Sequence, residues 1–85
     1  MVAYIDFGDI RTFSSNANDL EFVWHRDMED REIEVLEGSD WQFQYDDSLP
    51  NYINEGDRFV IKKMQYHRLI KGKTDLMIRI TKNGN

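Results

Sequence analysis

The sequence predicts a single all-β domain of about seven or eight short strands, arranged as a sandwich or a barrel. Its 85 residues suffice for one domain, residues 1–85. Apolar and polar residues alternate with a period of two in several runs, and turn residues separate these runs. Helical spacing is not sustained anywhere over about ten residues.

The predicted strands follow an early polar loop at Ser14–Asp19. They are rich in β-branched and aromatic residues, and they cover Leu20–Trp24, Glu32–Val35, Trp41–Tyr45, Arg58–Lys62 and Thr74–Thr81. Residues typical of turns separate them at Glu37–Asp40, Asp46–Asn51, Asn54–Asp57 and Lys71–Lys73. This spacing is typical of small antiparallel β domains.

The composition excludes several classes of protein. With 40% hydrophobic and 32% charged residues, the chain is typical of a folded globular domain. It contains no cysteine, which excludes disulfide frameworks, thiolate metal sites and cysteine nucleophiles. No apolar run approaches the ~20 residues of a membrane helix, and no signal peptide is evident. We therefore expect a cytoplasmic protein without a membrane partner.

The net charge of −5 is unevenly distributed along the chain. Residues 1–57 contain 15 acidic and 3 basic residues, whereas residues 58–85 contain 8 basic and 1 acidic residue. The basic half alternates with apolar residues, so we expect its strands to pair with acidic strands and neutralise their charges. We expect no nucleic-acid partner, because the acidic half repels phosphate.

The junction between the acidic and basic halves carries a motif. Gly56 and Asp57 form a predicted turn before a strand, and His67 follows eleven positions after Gly56. This pattern resembles the second motif of the cupin superfamily. The chain departs from the motif at the positions of its proline, its second glycine and its asparagine, which are Lys62, Met64 and Lys71.

The acidic half resembles the first cupin motif, in which two histidines two positions apart precede a glutamate and a strand ending in glycine. His25 matches the first histidine, Asp27 stands at the second, and Gly38 matches the glycine. Arg31 occupies the glutamate position, and Glu32 lies one residue out of register. The resemblance implies a small antiparallel jelly-roll barrel. The superfamily includes dioxygenases, sugar isomerases and epimerases, and also binding modules, so the fold does not fix the function.

A divalent metal site is predicted at His25, Asp27 and His67. His25 and Asp27 are two positions apart on an extended segment, so their side chains point the same way. Two imidazoles and one carboxylate suit Fe, Mn, Ni or Zn. Glu32 is the least favoured further ligand. In the alternative without a metal, His67 is a hydrogen-bonded barrel histidine and Asp27 pairs with His25 or Arg31.

Further residues are candidates for binding a ligand. Arg31 favours an anion or a salt bridge with Asp27. The aromatic candidates for a ligand cavity are Trp41, Phe43, Tyr45 and Tyr66. Their alternative role is in the core or in a dimer interface.

These observations favour a small cupin-like barrel that binds a small molecule, with a divalent metal at the predicted site as one means of binding it. The alternatives are a metal-dependent enzyme of the dioxygenase or sugar isomerase/epimerase type, and a structural protein that assembles through strand edges. Whether the chain is catalytic stays open at this point. Two Trp, four Tyr and five Phe are more than a small interior readily buries, so we expect a homodimer.

Overall fold

The computed structural model of the chain describes residues 4–16 and 22–83. Within these ranges there is no α-helix, and the eight strands are β1 (Tyr4–Phe7), β2 (Ile10–Phe13), β3 (Asp30–Glu37), β4 (Gln42–Tyr45), β5 (Asn51–Tyr52), β6 (Arg58–Ile61), β7 (His67–Ile70) and β8 (Leu76–Asn83). The all-β prediction is confirmed. No described segment is a helix long and apolar enough to span a bilayer.

The strands form two antiparallel sheets. The larger sheet has the order β1-β2-β8-β3-β6, and the smaller has the order β5-β4-β7. The long strand β8 lies at the centre of the larger sheet, between β2 and β3. In the part of the chain that is described, no named strand of one sheet pairs with a named strand of the other, so the sheets do not close into a continuous barrel.

The core lies between the sheets, and the alternation of each strand places its residues there. On β3, Ile33 and Val35 are buried, whereas Glu32 is exposed on the outer face. Both sheets contribute to the buried apolar cluster, which consists of Phe13, Ile33, Val35, Trp41, Phe43, Ile53, Ile61, Leu76 and Ile78.

The outer face of the larger sheet carries paired charges. Glu34 on β3 lies opposite Arg58 on β6 and Arg79 on β8. Its carboxylate accepts hydrogen bonds from Arg79 at 3.0 Å and from Arg58 at 3.4 Å. The expected neutralisation of acidic strands by basic ones therefore occurs at this position.

The predicted turn at Lys71–Lys73 supports the most deeply buried ring. A Cβ atom on Gly72 would overlap the carbonyl oxygen of Ser39 and the indole of Trp41, so this position requires glycine. Trp41 is fully buried and donates its indole N–H to the carbonyl oxygen of Thr74 at 2.6 Å. One end of the interior is therefore tightly packed around Trp41.

One predicted strand differs from the structure. Leu20 and the end of the early polar loop lie outside the described residues, and residues 22–24 form no strand. Phe22 packs its ring against Phe13 and Trp41 in the core. In the described part of this stretch, the β pairing consists of a single bridge at His25. The alternation there therefore reflects a loop that packs against the core.

Candidate metal site

The two histidines face each other across a backbone bridge. His25 N–H donates to the His67 carbonyl at 3.0 Å, and His67 N–H donates to the His25 carbonyl at 2.8 Å. Directly opposed residues of an antiparallel pair point to the same side, and the two ring centroids lie 4.4 Å apart. The predicted convergence of these imidazoles is confirmed.

Asp27 is brought to the same place by the loop before β7. Its carbonyl oxygen accepts a hydrogen bond from Met64 N–H at 2.7 Å. Met64 has φ 64°, in the left-handed region that non-glycine residues adopt only when the surroundings impose it. Asp27 and His67 are buried, and one ligand atom from each of His25, Asp27 and His67 lies within 4.8 Å of the others.

Local hydrogen bonds fix which nitrogen of each imidazole carries its proton. Nδ1 of His25 lies 2.9 Å from the Val23 carbonyl oxygen, and Nδ1 of His67 lies 2.8 Å from that of Gln65. A carbonyl oxygen only accepts, so Nδ1 is the donor in both rings. The lone pair of each neutral imidazole is therefore on Nε2, the arrangement that metal-binding histidines adopt.

The carboxylate of Asp27 has an unsatisfied oxygen. Oδ2 is buried without a hydrogen-bond partner. His67 Nε2 lies 3.3 Å from it. When His67 is neutral, two acceptors face each other, which is unfavourable in a buried site unless a cation lies between them. A second proton on His67 or a metal ion supplies that cation.

The other carboxylate oxygen faces an arginine. Arg31 Nη1 lies 3.4 Å from Asp27 Oδ1, and its Nε and Nη2 both lie 2.9 Å from Glu29 Oε1. Burial raises the pKa of the Asp27 carboxyl, but His67, Arg31 and His25 together lower that pKa below its ordinary value. Asp27 is therefore ionised at neutral pH and presents Oδ2, rather than both oxygens, to a cation.

A small cavity adjoins these residues between the sheets. Its volume is about 30 Å³, and apolar side chains such as Phe43 and Phe59 form most of its wall. Arg11 on β2 also lines it and is buried with 7% exposure, held by a two-point contact with Asp6. Sequence reasoning missed Arg11, although its spacing of two from Phe13 signals the inner face.

The remaining predicted residues lie at different distances from the site. Arg31 and Phe43 line the cavity, and Phe43 stacks on His67 with centroids 5.6 Å apart. Tyr45 is adjacent, with its ring centroid 6.4 Å from that of His67. Trp41 belongs to the core at the other end, Tyr66 is 41% exposed, and Glu32 faces outwards.

The donor set fits a first-row divalent ion. Two neutral imidazole nitrogens and one carboxylate oxygen are typical ligands of Zn²⁺ and Fe²⁺. Ligand atoms bound at about 2.1 Å in a tetrahedral site lie about 3.4 Å apart, so separations of up to 4.8 Å in the cluster must close by as much as about 1.4 Å for an ion to bind.

Comparison with known proteins supports the fold alone. No family model matches the chain, and no curated protein matches it. The fold is similar to that in the crystal structure of protein NMB1881 from Neisseria meningitidis, with a TM-score of 0.55 and 19% sequence identity. The match covers 92% of this chain and 80% of that chain.

Proposed function

We propose that this chain is a small cupin-like protein that binds a divalent transition metal through His25, Asp27 and His67. The remaining coordination positions take a ligand the size of water, and a larger small molecule binds nearby. The observation that carries the proposal is the buried, unpartnered Oδ2 of Asp27 beside His67 Nε2. Buried polar atoms normally have a hydrogen-bond partner, and a bound cation would satisfy this oxygen.

Each residue has a distinct part in this proposal. The two imidazoles are oriented by their Nδ1–H bonds to backbone carbonyls. Arg31 lies beside one oxygen of Asp27, which leaves the other oxygen available to the ion. The surrounding apolar wall excludes bulk water. A metal with open positions acts as a Lewis acid towards an oxygen ligand.

Backbone conformation supports the cupin-like assignment and, with it, a jelly-roll arrangement. Three motif positions are occupied by glycine in the superfamily, and here they are Gly38, Gly56 and Met64. All three have positive φ, of 139°, 90° and 64° respectively. Met64 thus adopts a backbone conformation that favours glycine, at the position where the motif has one.

Metal titration tests the proposal. We expect the chelator-treated protein to bind one Co²⁺, monitored by calorimetry and by the visible absorption of the ion. Asp27→Asn should weaken binding by at least about 100-fold, because outer partners of metal ligands already contribute about 10–100-fold. Glu32→Gln, an acidic neighbour on the outer face, is the matched control and should bind like the wild type. Equal affinities for the two variants would refute the site.

Three protein ligands also favour a second candidate, a metal-dependent enzyme. Catalytic zinc and iron sites keep a position open for substrate, whereas closed four-ligand sites are structural. If the chain is an oxygenase, the Fe²⁺-loaded protein should consume O₂ in the presence of its substrate, and Asp27→Asn should not. If the protein binds Fe²⁺ but turns over no small acid or phenol, only the binding function is supported.

The edge of the larger sheet supports the proposed homodimer. Ile5 and Phe7 on edge strand β1 are 76% and 84% exposed. Exposed apolar residues on an unpaired edge favour association. Light scattering should give twice the mass of the chain, and Phe7→Lys should reduce it to the mass of one chain. A wild-type monomer at high micromolar concentration would rule the dimer out.

A further inference from the structure

The interior cavity beside the metal site is too small for an organic ligand. Its volume of about 30 Å³ corresponds to one water molecule or one ion. Small-molecule pockets typically measure about 300–1,000 Å³. A molecule that approaches the metal must therefore be recognised at a different place on the protein.

A groove of suitable size opens where the two sheets part. Its volume is about 320 Å³, and it lies between the β4–β5 hairpin and edge strand β6. Its walls include Phe43, Tyr45, Asn51, Tyr52, Arg58 and Phe59. It thus combines several aromatic rings with a few polar groups, which is the usual composition of a ligand site.

Two rings separate this groove from the metal site. Phe43 and Phe59 line both the groove and the interior cavity, with their centroids 5.1 Å apart. Phe43 is also the ring that stacks on His67. A ligand in the groove therefore lies one aromatic layer from the proposed metal ligands.

A specific contact defines the shape of the groove. The Tyr45 hydroxyl donates to the Val60 carbonyl oxygen at 2.7 Å and accepts from Lys62 N–H at 3.2 Å. These bonds join β4 to β6 and its following loop, across a seam where no ladder connects the sheets. The spacing of the groove walls is thereby fixed by side-chain contact.

The lining residues indicate the chemistry of the ligand. Tyr52 is 62% exposed and offers its ring to a flat apolar group. Arg58 stands at the rim with 77% side-chain exposure, and its contact with Glu34 is long, at 3.4 Å. Asp57, the acid at the rim, is engaged by the backbone N–H of Asn54 at 2.8 Å. The exposed guanidinium of Arg58 therefore offers charge-assisted hydrogen bonds to an anionic group.

We infer that this groove is the recognition site for a small planar molecule with one carboxylate or sulfonate group. The inference rests on the proposed function, because it places that molecule beside the metal. Other surface depressions have similar volumes. In the one on the outer face of the larger sheet, which Arg58 also lines, Glu34 and Arg79 are paired at 3.0 Å, a closer contact than the 3.4 Å between Glu34 and Arg58. Charged side chains that already pair with each other are less available to bind a ligand.

The probe for the test is 8-anilinonaphthalene-1-sulfonate, an aromatic anion whose fluorescence rises on binding. The metal-free protein should bind one equivalent. Tyr52→Ala and Arg58→Gln should each weaken binding by about tenfold, the change that corresponds to 1.4 kcal/mol. Both side chains are exposed, so these variants should fold, as circular dichroism will show. Tyr66→Ala and Arg26→Gln are matched controls, because that exposed tyrosine–arginine pair lies outside the groove.

A second measurement locates the probe relative to the metal. Co²⁺ should enhance the relaxation of the probe's protons in the wild type but not in Asp27→Asn. Probe binding that is weakened equally by the groove variants and the controls would overturn the inference, even if Co²⁺ binds. Groove-dependent probe binding without any Co²⁺ binding would support the groove and refute the metal site. Bound Co²⁺ without enhanced relaxation would overturn the placement beside the metal.

Discussion

The two ends of the interior differ in the polar groups that they contain. Around Trp41 and Leu76 the packing is apolar, and these side chains are fully buried. Around His67 and Asp27 the interior holds polar groups beside a cavity with a mostly apolar wall, and one carboxylate oxygen is unsatisfied. An apolar end contributes stability directly, whereas a polar end reduces stability unless a partner satisfies its groups. The difference indicates which end serves function.

Leu76→Ala should cause the largest loss of stability, because it leaves a cavity in the apolar end. We expect the free energy of unfolding to fall by about 2–5 kcal/mol, measured by urea denaturation. His25→Ala, at the polar end, should cost clearly less, since His25 is only partly buried. Equal losses would remove the contrast between the two ends.

Metal should stabilise the polar end alone. At a free Zn²⁺ concentration of 100 times its dissociation constant, the wild-type protein should gain about 2.7 kcal/mol. Asp27→Asn should gain none at the same concentration, whereas Leu76→Ala should gain as much as the wild type at the same ratio to its own constant. Loss of the metal response in Leu76→Ala would show that the ends are coupled.

Acid should weaken the metal-free protein in a way that depends on Asp27. Its pKa is lower in the folded state than the unfolded value of about 3.9, so its ionised form favours folding. This contribution is complete above the unfolded pKa and is lost as the pH falls through the folded pKa. Asp27→Asn should therefore show a shallower decline below about pH 5, measured by urea denaturation at several pH values. An unchanged decline would contradict the assignment.

The smallest effect should come from the outer face. Arg79 bonds Glu34 at 3.0 Å, but its side chain is 43% exposed. Arg79→Gln should cost no more than about 1 kcal/mol, as exposed ion pairs do, and should leave Co²⁺ affinity unchanged. A larger loss of the free energy of unfolding, measured by urea denaturation, would mean that the outer face of the larger sheet contributes to the stability of the core.

Alternation predicted much of the fold because strand side chains reach opposite faces. It predicted that Trp41 and Phe43 belong to a strand segment, and it identified the runs that correspond to β3, β6 and β8. It was wrong about residues 22–24, where one ring in the core produces the same pattern as a strand. A period of two does not distinguish these cases when the run is short.

The predicted cluster of His25, Asp27 and His67 was found by spacing and by resemblance to the cupin motifs. Spacing did not reveal that Glu29 holds Arg31, or that Arg11 enters the same cavity. The approach of Arg11 to this cavity depends on strands that are distant in the chain. Arg11 also looks like a surface residue by type, and only burial against Tyr4 and Asp6 shows its role.

The sequence by itself determined an all-β chain and which side chains share a strand face, since both follow from local periodicity and backbone geometry. It also determined that His25 and Asp27 point the same way. Only the tertiary structure decided that His67 lies opposite His25, that Asp27 keeps one oxygen without a partner, and that the sheets part to leave a groove. These features depend on pairing between distant segments, and no local pattern encodes that pairing.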